Sequence, residues 1–388
     1  MFSFPTLRPR SSRTAAAALR TPVQHPPRQT WLRGATAGAA ALIALACAGP
    51  LAATPAQAAP KTTFDIAWTI YVGWMPWAYA AETGIVKKWA DKYGLTINVT
   101  QINDYVESIN QYTAGKFDGV TLTNMDALTI PAAGGVDTTA LIIGDFSNGN
   151  DGIVSKTAKT PAYLKGESIN LVELSVSHYL LARALASAGL SEKDVKVVNT
   201  SDADMVAAFK SADVKTVVTW NPLLAEVEAE PGVARVFNSS QIPGEIIDML
   251  GVNSEVLKDN PNFGKALVGI WYETLALVAD QGAAGKATRE ALGKLSGTDL
   301  AGYDAQLAAT KLFVTPKEAV AFTESQDLIK TMELVRSFSF EHGLLGDGAK
   351  SPDAVGMAFA GGKTLGDAAN IKLRFDPTYM KLAADGKL

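Results

Sequence analysis

The sequence predicts an α/β protein of two lobes with a hinged cleft and a helical C-terminal part. Three observations predict it. Strand-like and helix-like segments alternate four times between Phe64 and Gly144. A polar, glycine-containing stretch, Asp145–Gly152, breaks the pattern, and the alternation then resumes as far as Phe237. From Leu257 to its end the chain reads as mainly helical. A cleft between two lobes is the default place for a ligand.

The first 58 residues are expected to stand outside this fold. Arg8, Arg10, Arg13, Arg20, Arg28 and Arg33 form a basic region with no acid before Asp65, an Ala-rich apolar run follows from Gly34 to Ala53, and Ala56-Gln57-Ala58 is a small-residue cleavage site. That order is a secretory signal peptide; a retained membrane anchor or a lipid at Cys47 are the alternatives. Cys47 is the single cysteine, so the exported chain is expected to carry no disulfide and no thiolate. Loss of the six arginines takes the formal net charge from −4 to −10. Such acidity argues against nucleic acid and anionic membrane surfaces as partners, and about 330 remaining residues suffice for two cores.

The element read first is the apolar run Phe64–Ile70, ending in Tyr71-Val-Gly-Trp-Met-Pro-Trp-Ala-Tyr79. Gly73 and Pro76 mark a strand-to-helix turn, with Pro76 suited to the first helical position. The helix is expected to reach about Tyr93. Leu95–Ile102 alternates as a strand, Asp104–Lys116 reads as a helix, Phe117–Thr123 as a strand, Asn124 to about Ala133 as a helix and Thr138–Gly144 as a strand. This predicts a parallel sheet with crossover helices, its strand ends near Gly73, Asn103 and Asn124 on one rim. Asp145–Gly152 is read as the connection to the second lobe. There strands are expected at Ser168–Val172, Lys196–Thr200, Thr216–Thr219 and up to Phe237, and helices at Ser177–Ala188, Ala203–Ala212 and from Pro222. Gln241–Asn253 reads as a return connection. The expected organisation is therefore 59–147 with 246–388 as lobe I and 148–245 as lobe II.

Several motifs carry a resemblance: Ala80–Trp89 (A-x-E-x-G-I-V-K-K-W), Ala114–Val120 (A-G-K-F-D-G-V), Thr123–Ala127 (T-N-M-D-A) and Val218–Pro222 (V-T-W-N-P). In this order, over most of residues 64–250, the chain resembles the substrate-binding proteins of ABC importers in the nitrate/taurine/sulfonate group. Its G-W-M-P-W turn, Asn103–Ser108 and W-N-P segments are similar to the branch associated with urea carboxylase and guanidine utilisation. The resemblance implies a type II periplasmic-binding-protein fold, a periplasmic location, delivery of a small solute to a permease with ATPase subunits, a monomer, no cofactor and no catalysis.

At the expected rim stand Trp74, Trp77, Asp104, Asn124, Asp126 and Asp151, and in the second lobe Glu173, Ser175 and Trp220; Glu245 and Asp248 fall on the return connection. No arginine is among them. Carboxylates and indole faces suit a planar cation such as guanidinium, through charge-assisted hydrogen bonds and cation–π stacking, while urea would use the amides and one carboxylate. Each residue also has an ordinary role open to it: Asp104 as a helix cap, Asp126 as a complement to the helix dipole, the tryptophans as core, His178 as a plain helix residue. The expected ligand is a guanidine- or urea-type compound; a sulfonate or nitrate-like anion is the alternative. An exported enzyme on the same fold is a third reading. It has little to build on in a mature chain with two histidines, no cysteine, no metal-ligand spacing and no phosphate-binding glycine motif.

Overall fold

The computed structural model describes residues 61–388; the expected signal peptide lies outside them. The chain opens with β1 (Thr63–Trp68), α1 (Pro76–Glu82), α2 (Ile85–Lys92), β2 (Thr96–Gln101), α3 (Tyr105–Thr113), β3 (Gly119–Thr123), α4 (Asn124–Ala127) and β4 (Thr138–Ser147). It continues with β5 (Asp151–Ser155), β6 (Ser168–Leu171), α5 (Val176–Ser187), β7 (Lys196–Asn199), α6 (Asp202–Lys210), β8 (Thr216–Trp220), α7 (Leu223–Glu228) and β9 (Ala234–Asn238). Next come β10 (Ile247–Asn253), α8 (Ser254–Asp259), α9 (Pro261–Ala279), α10 (Ala283–Leu295), α11 (Leu300–Ala308) and β11 (Thr310–Leu312). The last elements are α12 (Pro316–Thr323), α13 (Gln326–Glu341), β12 (Gly356–Phe359), β13 (Lys363–Leu365), β14 (Ile371–Phe375) and α14 (Thr378–Ala384).

The strands form two sheets. The larger runs β13-β12-β14-β4-β10-β3-β1-β2, with β11 also on β4; the smaller runs β7-β6-β8-β5-β9. β1 pairs in parallel with both β2 and β3, so the turns that follow these three strands share one rim. The chain crosses between the sheets twice, at residues 148–150 and 239–246. Ser239 ties the crossings together: its hydroxyl lies 2.6 Å from that of Ser147 and accepts from the Gly149 amide at 2.7 Å.

Three expectations change. The helix after Pro76 is two helices, because Gly84 takes a left-handed φ of 81° and restarts the chain as α2. Asp145 is not a loop residue: β4 runs on to Ser147 and β5 starts at Asp151, which leaves only three linking residues. The supposed return connection contains β10, a central strand antiparallel to both β3 and β4, so the larger sheet is mixed. All but one of its residues are buried; packed on both faces, it has no polar alternation to betray it. The C-terminal part carries four short strands, β11 to β14, besides its helices. α9 is apolar nearly all round and packs against α1, α2, α10 and α14.

Candidate functional site

The turn after β1 is set by local chemistry. The amides of Trp74 and Met75 both donate to the Tyr71 carbonyl, and Pro76 starts α1. Gly73 is required there, since a Cβ would fall 2.4 Å from Asp145 Oδ2. The turn delivers Tyr71 and Trp74 to a small cavity at the rim of the larger sheet. Tyr105 from the start of α3, Thr123 from the end of β3 and Asp248 from β10 complete that side; Asp151 and Trp220, register partners on β5 and β8, close it from the smaller sheet. Measured to the centres of water-sized spheres the cavity is about 20 Å³, roughly the room of one or two waters.

Four aromatic rings follow one another around it. Tyr71 meets Trp74 edge-on at 5.1 Å, Trp74 lies 5.7 Å from Tyr105, and Tyr105 meets Trp220 edge-on at 5.7 Å. Trp74 and Trp220 thus wall one cavity from opposite sheets, with Tyr105 between them.

Carboxyl groups supply the polar character. Asp151 and Asp248 line the cavity, and Asp145 and Asp126 stand directly behind its tyrosines: Tyr71 donates to Asp145 Oδ1 at 3.0 Å, Tyr105 to Asp126 Oδ2 at 2.6 Å. All four are at most 4% exposed. Burial, which disfavours a charged carboxylate, raises every one of them. Asp126 goes to about 6, with Tyr105 and Thr123 pulling back through hydrogen bonds. Asp145 goes to about 7, restrained by hydrogen bonds from Asp248 and Tyr71; Asp151 also goes to about 7. Asp248 is raised well above the usual carboxylate range, by burial and then by the charges of Asp145 and Asp151. Asp145 and Asp248 are directly opposite in the β4/β10 register. Two buried carboxyls so placed share a hydrogen bond when one of them holds a proton. Among the described residues, Asp126 Oδ1, Asp145 Oδ2, Asp248 Oδ2 and Trp74 Nε1 are buried without a hydrogen-bond partner. Among the described residues, no Lys, Arg or His lines the cavity.

Of the residues proposed from sequence, Trp74, Asp151 and Trp220 meet in this cavity and Asp126 stands behind it. The others lie elsewhere. Trp77 is buried behind the turn, stacked on Trp271 at 5.5 Å. Asp104 caps α3 by accepting from the Glu107 amide at 2.8 Å. It faces an outer groove shared with Glu107, Glu173 and Asp202. Glu173 is exposed there. Ser175 caps α5. Asn124 spans the Glu245 carbonyl and the Ile247 amide, holding the start of β10. Glu245 is already taken, by Tyr179 at 2.5 Å and Arg183 at 2.9 Å. Sequence reading missed Tyr71, Tyr105 and Asp145 as site residues. Tyr71 lay inside the stretch singled out, and Asp145 was assigned to a loop.

Four Brucella chains named as binding proteins are each 27% identical to this one over 197 residues, which is 50% of this chain and 59% of theirs. The chain thus spans less than two thirds of these curated relatives. The taurine-binding periplasmic protein of Escherichia coli K12 is 25% identical over 130 residues, 32% of this chain and 40% of that one. Among solved structures, the alkanesulfonate-binding protein SsuA of Xanthomonas axonopodis pv. citri, bound to MOPS, superposes with a TM-score of 0.62 at 19% identity, over 76% of this chain and 99% of that one. The periplasmic nitrate-binding protein NrtA of Synechocystis PCC 6803 gives 0.54 at 15% identity, over 85% and 100%. These likenesses show the fold, the two-lobe type II architecture of periplasmic binding proteins. The NMT1-like family matches residues 57–292, more than half of the sequence, and the chain belongs to that family.

Proposed function

We propose that this chain is the solute-binding component of an ABC-type importer, working in the periplasm after cleavage near Ala58, and that it captures a small nitrogenous cation of the guanidinium type. The lobes would be residues 59–147 with 246–388, and 148–245, joined at the two crossings and closing on a solute held by both. A monomeric receptor would then be read by a permease with ATPase subunits. The names of the similar proteins support a binding rather than a catalytic role.

The observation that carries the ligand class is the buried set Asp126, Asp145, Asp151 and Asp248 around four aromatic rings, with no basic side chain among the described residues of the cavity wall. A cation would let these carboxyls ionise and give Asp248 Oδ2 a partner, while the indole faces add cation–π attraction. The relatives' names favour a second reading, a sulfonate or nitrate-like anion, and so does one atom: the unpartnered Trp74 Nε1–H, which needs an acceptor that guanidinium lacks and urea or an anion has. The carboxyls weigh more, because an anion could enter only with them protonated. Calorimetric titration with guanidinium, urea, taurine and nitrate decides. Guanidinium heat is expected; tight anion binding without it overturns the reading.

A further inference from the structure

Apart from the cavity wall, three side chains far apart in sequence converge. His178 is on the first turn of α5, Glu192 in the short helical turn Glu192–Asp194, and His342 at the C-terminal cap of α13. Their ligand atoms all lie within 4.8 Å of one another. In the fold His178 Nε2 meets Glu192 Oε1, and His342 Nε2 meets Glu192 Oε2.

We propose that His178, Glu192 and His342 form a binding site for one borderline divalent metal ion, of which Zn(II) is the type, clipping the smaller sheet's α5 to α13. Two imidazoles and a carboxylate are a donor set that zinc takes, at about 2.0–2.2 Å, with a solvent molecule completing the shell. The proton arrangement supports a metal at one end of the cluster. His342 Nδ1 lies 2.8 Å from the Phe338 carbonyl, an acceptor that fixes the proton on Nδ1. In the neutral ring Nε2 then turns its lone pair towards Glu192, a repulsion that a cation between them removes, and the ring–carbonyl bond is the outer-sphere support metal-bound histidines use. At the other end, Glu192 Oε1 lies against His178 Nε2 without hydrogen-bond geometry and is buried with no hydrogen-bond partner. His178 Nδ1 accepts from the Leu174 amide at 3.1 Å. Loading Nε2 would place the ring proton on Nδ1 and cost His178 its bond from the Leu174 amide. Glu192 and His342 are partly exposed, so the ion has a way in. α13 also holds the larger sheet's side, through Met332 Sδ against Asn124. The ion would thus join parts of the chain that carry the two sheets.

The test is titration of tag-free, chelator-stripped protein with Zn(II), and with Co(II) as a spectroscopic reporter. One equivalent of tight Zn(II), Co(II) ligand-field bands of low-coordinate type and a raised Tm are expected. His342→Ala and Glu192→Gln should each weaken uptake by about tenfold or more, with unchanged far-UV circular dichroism. If His178→Ala fails to fold, the partly exposed His342 keeps the test intact. Absence of stoichiometric uptake, or uptake that survives both substitutions, overturns the site and assigns the cluster to a proton alone. Neither outcome depends on which solute the central cavity takes.

Discussion

Two acidic regions lie near the rim of the larger sheet, and they differ in what surrounds the carboxylates. In the outer groove, Glu173 and Glu107 are exposed to water and Asp104 is spent on capping α3; Asp202, buried there and raised to about 6 by burial, is held by backbone amides including that of Tyr105. At the cavity, Asp151 and Asp248 on its wall and Asp145 behind Tyr71 are buried, all are raised by burial, and two of the three keep an oxygen without a partner. Residue type alone does not distinguish the regions. Solvation and existing partners do: a hydrated or amide-bound carboxylate has little to gain from a cation, whereas a buried one with an unpartnered oxygen has its ionisation to recover.

The sharpest way to break this comparison is to neutralise one acid in each region. Asp248→Asn should weaken guanidinium binding by about 10–100-fold, the worth of roughly 1.5–3 kcal/mol for a hydrogen bond to a charged group. Glu173→Gln should leave the calorimetric affinity unchanged. Equal losses at both positions would remove the distinction. Next in size is Gly73→Ala. Its new Cβ must displace the Asp145 carboxyl or the Tyr71 ring, so unfolding in urea should show a loss of about 1–3 kcal/mol. Trp220→Leu should cost about 0.5–2 kcal/mol of guanidinium affinity through the lost cation–π contact. Trp77→Leu, behind the turn, should lower stability and leave affinity in place.

The pH response has a definite sign. The carboxyls of Asp126, Asp145 and Asp151 sit at about 6 to 7 in the folded chain, above the usual value near 4. Their contribution to stability is complete below about pH 4 and is lost as pH rises through 6 to 7. The Tm of the solute-free protein should therefore carry a component that falls from pH 5 to pH 8. Guanidinium should oppose that fall, binding more tightly as pH rises and releasing protons in proportion. An anionic ligand would bind more weakly with rising pH, so the slope alone separates the two readings.

How much of this was legible beforehand follows the same physics. β1 to β3 declare themselves because each is a short apolar or alternating run followed by a polar or proline-marked helix start; Trp74 and Asp126 are found because they stand at those junctions, and Trp220 because it ends β8 before the Asn-Pro start of the next helix. β10 is hidden because a strand packed on both faces shows no alternation, and Asp248 and Asp145 only become a pair when β10 lies antiparallel to β4. The four short strands β11 to β14 are three to five residues long, too short for periodicity to register. The His178/Glu192/His342 cluster joins residues up to 164 positions apart, which no motif spacing encodes.

The smallest expected effect tests the comparison from the other side. Asp104 accepts the Glu107 amide at the start of α3, and the next residue, Tyr105, lines the cavity. Asp104→Ala should cost about 1 kcal/mol of stability, the usual worth of such a cap. Tyr105 is anchored separately, by Asp126 at 2.6 Å and by the Thr123 amide at 2.9 Å, so the ring should hold its place when the cap is lost. A lower Tm with unchanged guanidinium affinity is therefore expected. A fall in affinity with no fall in Tm would mean that Asp104 reaches the solute itself, and that the outer groove is part of the site.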